Sequence, residues 1–256
     1  MSKEAEFLEK IAREAGAITL KHFKRAKVEY TKGHDLNVVT KADLESNEYL
    51  VSEIRKKFPD DGFISEEKGE DNSEAERIWI IDPLDGTLNF SKGIPMYSVM
   101  IARARKGIVE LAAIYDPVHD DLYMAEKGKG AYLNGERAHC SEATELHASV
   151  GGFNVSYRQR NVEVLKKLLA ASPQEKIYSV AYYAIGTIAA HVSAGKRDWM
   201  LSYGAQVWDY AAPSLLLAES GCKVTTDDGQ EWTLKDKVML AANPKLHAKL
   251  LKALKA

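Results

Sequence analysis

Apolar positions recur at helical spacing from the start of the chain. Leu8, Ile11, Ala15, Ile18 and His22 follow one another at intervals of 3, 4, 3 and 4, which predicts an amphipathic helix over residues 3–24. A polar, glycine-containing loop follows at Lys32-Gly33-His34-Asp35. Leu44, Asn47, Val51, Ile54 and Phe58 then share a second helical face, capped by Thr40 and ended by Pro59.

The period then changes from helical to alternating. Phe63-Ile64-Ser65 and the β-branched run Ile78 to Ile81 read as short strands, each stopped by acidic residues. Tyr97–Arg105, Val109–Tyr115, Leu122–Glu126 and Ala131–Leu133 read as antiparallel strands. Turns fall at Lys106-Gly107, Asp116-Pro117, Gly128-Lys129-Gly130 and Asn134-Gly135, the last being the strongest two-residue hairpin signal. Gly128 and Gly130 lie between strands and do not open a helix, so they read as hairpin and not as a phosphate loop.

Beyond residue 145 helices and strands alternate. Helices are predicted at Val162–Ala171, Ile185–Ala194, Trp208–Ser220 and after Pro244; strands at Tyr178–Ala181, Trp199–Ser202, Cys222–Thr225 and Val238–Ala242. The expected organisation is an N-terminal α+β half, 1–144, and a C-terminal αβα half, 145–256, packed as one unit.

Composition narrows the function. With 45% hydrophobic residues in 256, the chain can bury a large core. A net charge of -2 from 35 basic and 37 acidic side chains gives no field for nucleic acid or an anionic membrane, and neither is expected as a partner. No apolar run approaches the roughly 20 residues of a membrane span. Two cysteines outside any C-x-x-C, without an apolar leader at the start, point to a cytoplasmic location. The seven histidines lack zinc-ligand spacing.

The chemistry concentrates in Trp79-Ile80-Ile81-Asp82-Pro83-Leu84-Asp85-Gly86-Thr87-Leu88-Asn89-Phe90. Pro83 and Gly86 place Asp82 and Asp85 on a constrained loop. Two carboxylates so close repel unless a cation lies between them, and oxygen donors suit Mg²⁺, Mn²⁺ or Ca²⁺. From residue types alone, D-P-x-D-G reads equally well as a surface turn. Asp43 and Asp209 each fall in the first turn of a helix, where a capping or dipole role suffices. Glu66-Glu67 alone would read as an exposed acidic pair.

The twelve residues as a whole resemble the metal-binding motif of the inositol monophosphatase family, W-[VI]-[IV]-D-P-[IL]-D-G-T-x-N-[FY]. Ser65-Glu66-Glu67 is similar to that family's [GS]-E-E element, and Thr40 to Asp43 to its T-x-x-D. Trp208-Asp209-Tyr210-Ala211-Ala212 is similar to its second motif, with Pro213 and Cys222 where the family usually carries glycine. The resemblance implies a layered αβαβα sandwich and a Mg²⁺-dependent phosphomonoesterase, commonly a homodimer. It makes Glu66, Asp82, Leu84 (through its carbonyl), Asp85 and Asp209 ligands to two or three Mg²⁺. Thr87, Glu66 and Asp43 then serve a metal-activated water attacking in line, while Glu67 and Lys32 support the site. Asp85, Gly86, Thr87, Ser202 and Asp209 face the substrate, Gly86 and Thr87 through their amides.

Ser202 stands where family members that bind inositol ring hydroxyls carry an acid, and Tyr183-Ala184-Ile185-Gly186 replaces an R-S-x-G element. Candidate substrates are therefore a small phosphorylated polyol or sugar such as inositol 1-phosphate, fructose 1,6-bisphosphate, or 3′-phosphoadenosine 5′-phosphate. Tyr182, Tyr183, Tyr203 and Arg158 are candidates for the pocket wall. A regulatory protein that keeps the metal site without turnover is the non-enzymatic alternative.

Overall fold

The computed structural model describes residues 2–33, 36–154, 159–172, 177–180 and 184–255. The first half runs α1 (Lys3–His22), β1 (Val28–Thr31), β2 (Val38–Thr40), α2 (Lys41–Lys57), β3 (Gly62–Ser65), β4 (Gly69–Asp71), β5 (Arg77–Asp85) and α3 (Thr87–Ser91). Five antiparallel strands follow: β6 (Ser98–Arg105), β7 (Ile108–Asp116), β8 (Asp121–Glu126), β9 (Gly130–Leu133) and β10 (Glu136–Ala138). The second half begins β11 (Val150–Asn154), α4 (Gln159–Ala170), β12 (Tyr178–Val180), α5 (Ile185–Ser193) and β13 (Trp199–Tyr203). It closes with α6 (Val207–Glu219), β14 (Lys223–Thr225), β15 (Val238–Ala242) and α7 (Pro244–Lys255).

Two sheets organise these elements. One has eight strands in the order β10-β9-β8-β7-β6-β5-β3-β4; the other has five, β12-β11-β13-β15-β14. Alternation along the strands divides the core into layers. Ile80, Met100, Ala102, Ala112 and Ile114 face α5 and α6, whereas Trp79, Ile81, Ile101, Leu111 and Ala113 face α1 and α2. In the second sheet Met200, Met239 and Ala241 face the same α5–α6 layer, while Trp199, Leu201, Leu240 and Ala242 face α4 and α7. The result is the expected αβαβα stack. Helix α5 lies between the sheets, which is why it is apolar around nearly its whole circumference.

Several elements depart from the sequence reading. Strand β5 does not stop at Ile81 but continues through Asp85. Leu44, expected on the buried face of α2, is exposed, and Ser46 and Leu50 are buried instead. The hairpin β1–β2 has no signature in the sequence, because all four residues of β1 are exposed and leave no alternating pattern. Strand β11 was hidden by its glycines: a Cβ on Gly151 would lie 2.0 Å from the Trp199 ring, so the close packing of β11 excludes the residues that signal a strand. Pro213 sits inside α6 without ending it. Asn134 and Gly135 both take positive φ, as a type I′ hairpin requires. The backbone amides of Gly128 and Gly130 do hold an anion, the carboxylate of Glu219, at 2.7 Å each.

A candidate metal centre

The site forms where β5 breaks its register against β6. Asp82 pairs with Met100 and Asp85 with Ser98, so three steps on β5 match two on β6. In a regular strand, residues three apart point to opposite faces. The one-residue bulge cancels that and turns both aspartates toward α5 and α6. Glu66 joins them from the neighbouring strand: its amide donates to Ile81 O at 3.2 Å, extending the parallel β3–β5 ladder by one residue. Glu66 lines the same cavity as Asp82.

Helix N-termini supply the rest. The amides of Ile185 and Gly186, at the start of α5, donate to the two oxygens of Asp85 at 3.0 and 2.8 Å, and Ser98 Oγ adds a third bond at 3.2 Å. Asp209 is the third residue of α6; its Oδ2 accepts the Gln206 amide at 2.6 Å. Asp43 holds the same position in α2, with Oδ2 accepting the Thr40 amide at 2.8 Å and the Thr40 hydroxyl at 2.5 Å. In both acids one oxygen caps the helix and the other is left for the site. Capping and site chemistry are thus compatible uses of one carboxylate.

One oxygen from each of Asp82, Asp85 and Asp209 lies within 4.8 Å of the others. These acids line a cavity of about 450 Å³ together with Glu66, Leu84, Gly86 and Thr87. Gly86, at φ 86°, turns the chain into α3. Thr87 Oγ1 lies 2.9 Å from Leu84 O and 3.0 Å from Asp43 Oδ1. Asp43 itself is buried behind Thr87 and reaches the cavity only through that hydroxyl. Behind Glu66, Lys32 Nζ lies 2.7 Å from Glu67 Oε1 and 3.4 Å from Glu66 Oε1.

The remaining wall is formed by Leu36, Asn37, Val38 and Leu88 on one side and Ile185, Tyr203, Gly204 and Ala205 on the other. Ser202 is not on it. Its side chain is fully buried, with Oγ 3.0 Å from the Tyr210 hydroxyl; the neighbouring Tyr203 borders the cavity but packs toward α4 and α7, its hydroxyl 3.0 Å from Asp227 Oδ2. Arg158, Tyr182 and Tyr183 lie outside the described residues. Ser98, the α5 amides and the 36–38 segment were not foreseen. Only the glycine of Tyr183-Ala184-Ile185-Gly186 hinted at the second of these.

The electrostatics fit the geometry. Burial, reinforced by Glu66, Asp85 and Asp209, pushes Asp82 well above the ordinary carboxylate range. Burial raises Asp209 to about 8, Asp43 to about 7 and, against its three donors, Asp85 to about 6. Burial also raises Glu66 despite the opposing charge of Lys32. So many acids cannot all ionise together without a counter-charge. Their donors are all oxygen, the set that suits a hard divalent cation.

The profile of the inositol monophosphatase family matches residues 1–256. The chain is 32% identical over 249 residues to the fructose-1,6-bisphosphatase/inositol-1-monophosphatase of Thermotoga maritima, covering 96% of this chain and 94% of that one. It is 31% identical over 242 residues to the Nus factor SuhB of Salmonella typhimurium, covering 92% and 89%. Among solved structures, the extragenic suppressor protein SuhB of Bartonella henselae superposes with a TM-score of 0.92 at 30% identity, covering 99% of both chains.

Proposed function

We propose, from the premise that this chain belongs to the inositol monophosphatase family, that it is a Mg²⁺-dependent phosphomonoesterase for a small phosphorylated polyol or sugar. The observation carrying this reading is the convergence of Asp82, Asp85 and Asp209, from two sheets' worth of chain, onto one point beside Glu66. Two Mg²⁺, held by these four acids and the Leu84 carbonyl, would clamp the phosphoryl group and activate a water. Inositol 1-phosphate stands first among substrates, with fructose 1,6-bisphosphate as the alternative.

The chain's own residues supply positioning. Thr87 has one proton and two acceptors, Leu84 O and Asp43 Oδ1. Giving it to Leu84 leaves the hydroxyl oxygen to accept from a protonated Asp43; giving it to Asp43 frees Leu84 O for a cation. That pair sets the orientation of the attacking water and can take its proton. The amides at the α3 start, Gly86 and Thr87, face the phosphate oxygens. Lys32 offsets one of the two charges on Glu67 and Glu66, and the remaining negative charge is left for cations to neutralise. Because Asp209 comes from the second half and the other three acids from the first, 1–144 and 145–256 work as one unit. A homodimer, on the family resemblance, and a cytoplasmic location, on the cysteine usage, complete the reading.

Phosphate release from a panel of phosphomonoesters, with Mg²⁺ and with a chelator, tests it. Mg²⁺-dependent release ranked by alcohol identifies the substrate class. Mg²⁺ binding with no release from any ester would favour the non-enzymatic reading that the Nus factor name of one relative invites.

A further inference from the structure

Away from the acids, two thiols meet where the halves of the chain join. Cys140 follows β10, the last strand of the eight-stranded sheet, and Cys222 follows the turn that ends α6. The Cys140 amide donates to Ser220 O at 3.0 Å, tying the two segments together through the backbone. Cys140 Sγ lies 3.7 Å from where a Cβ on Gly221 would stand, the residue next to Cys222. Ser220 Oγ donates to Cys222 Sγ at 3.8 Å, and Cys140 packs against the core cluster that holds Cys222.

Free cysteines are often inert core residues. Contact between two of them, one accessible and one not, is a different arrangement. Cys140 is half-buried and Cys222 is buried. The neighbouring thiol holds Cys140 below its ordinary range, and Cys140 together with burial pushes Cys222 well above. A half-buried thiol of lowered pKa, backed by a second, buried thiol, is the pattern of an attacking and a resolving cysteine.

We propose that Cys140 and Cys222 are a site of reversible disulfide formation, with a small-molecule disulfide such as glutathione disulfide as the oxidant. The Cys140 thiolate attacks one sulfur of glutathione disulfide, forming a mixed disulfide and releasing one glutathione thiolate, which takes up a proton. Cys222 then loses its proton and attacks Cys140 Sγ, expelling the second glutathione. Two protein thiols are oxidised, one glutathione disulfide is reduced to two thiols, and electrons balance. The bond closes a covalent loop around α5, β13 and α6, the elements that bring the Asp85 donors and Asp209 to the cage. The cross-link stands whether or not the acids hold a cation.

The test is incubation of the full chain with glutathione disulfide at neutral pH, followed by intact mass and thiol titration after unfolding. The wild type is expected to lose both free thiols and two hydrogens of mass while keeping no glutathione. C222S is expected to retain one glutathione on Cys140, and C140S to remain unmodified. A wild type that keeps glutathione on Cys140, or leaves both thiols free while the unfolded chain reacts, overturns the proposal. So does C140S if Cys222 is modified as readily as the wild-type pair.

Discussion

The Gly186 amide donates to Asp85 Oδ2 at 2.8 Å, a bond between residues 101 apart in sequence. It fastens the start of α5 to the bulged end of β5 and leaves no room between them. A Cβ on Gly186 would stand 2.3 Å from Ser98 Oγ, 2.6 Å from Met100 Sδ and 3.0 Å from Asp85 Oδ2. Gly186→Ala therefore pushes α5 off Asp85. The expected cost is about 1–3 kcal/mol of stability, with weakened Mg²⁺ binding, read by thermal unfolding with and without Mg²⁺.

Thr87 tests the water-positioning role separately from metal binding. Thr87→Val removes the hydroxyl that contacts Asp43 and Leu84 O and should lower kcat by about 100-fold or more. Thr87→Ser keeps the hydroxyl and should retain most of the rate. Equal losses in both variants would contradict a role specific to the hydroxyl.

The raised acids make the metal-free chain sensitive to pH. Asp85 at about 6, Asp43 at about 7 and Asp209 at about 8 all lie above the value near 4 of an unfolded carboxylate. Between these values the fold binds more protons than the unfolded chain, so this stability is fully present below about pH 4 and is lost as pH rises from there to about 8. A chelator-treated sample should melt at a lower temperature at about pH 9 than at about pH 6. Mg²⁺ should remove that slope, because cations replace the protons. A flat metal-free profile would contradict the electrostatics.

Ser202 bears on substrate choice. Ser202→Glu installs an acid at the position where inositol-binding members of the family resemblance carry one. Here it would enter a fully buried space beside Tyr210. It should destabilise the fold by about 3–5 kcal/mol without lowering the KM for inositol 1-phosphate. Tyr203→Ala, on the cavity wall, should change KM between alcohols instead. Both are read by unfolding and by steady-state kinetics.

Layering was legible in the sequence because period 2 and period 3.6 are enforced by burial on named faces, as Ile80 and Ile81 on opposite sides of β5 demonstrate. The acids were legible as motifs. Their meeting was expected from the family resemblance alone, since the single bulge between Asp82 and Asp85 on which it depends is announced by no local residue pattern. The contribution of backbone amides was equally silent, because Ile185 and Gly186 donate through groups every residue carries. Ser202 lies off the pocket wall because its side chain turns to the Tyr210 hydroxyl, which counting along the chain cannot reveal.

Calorimetric titration of Mg²⁺ into the wild-type chain and Asp82→Asn is the most direct test of the cation cage. Asparagine keeps the shape of Asp82, whose carboxyl is held far above its usual range in the metal-free fold, so the variant should fold. The wild type should bind Mg²⁺ and the variant should bind at least about tenfold more weakly, a loss of 1.4 kcal/mol or more. Equal affinity in the two, or no binding to the wild type, would contradict the cage and the phosphatase reading built on it.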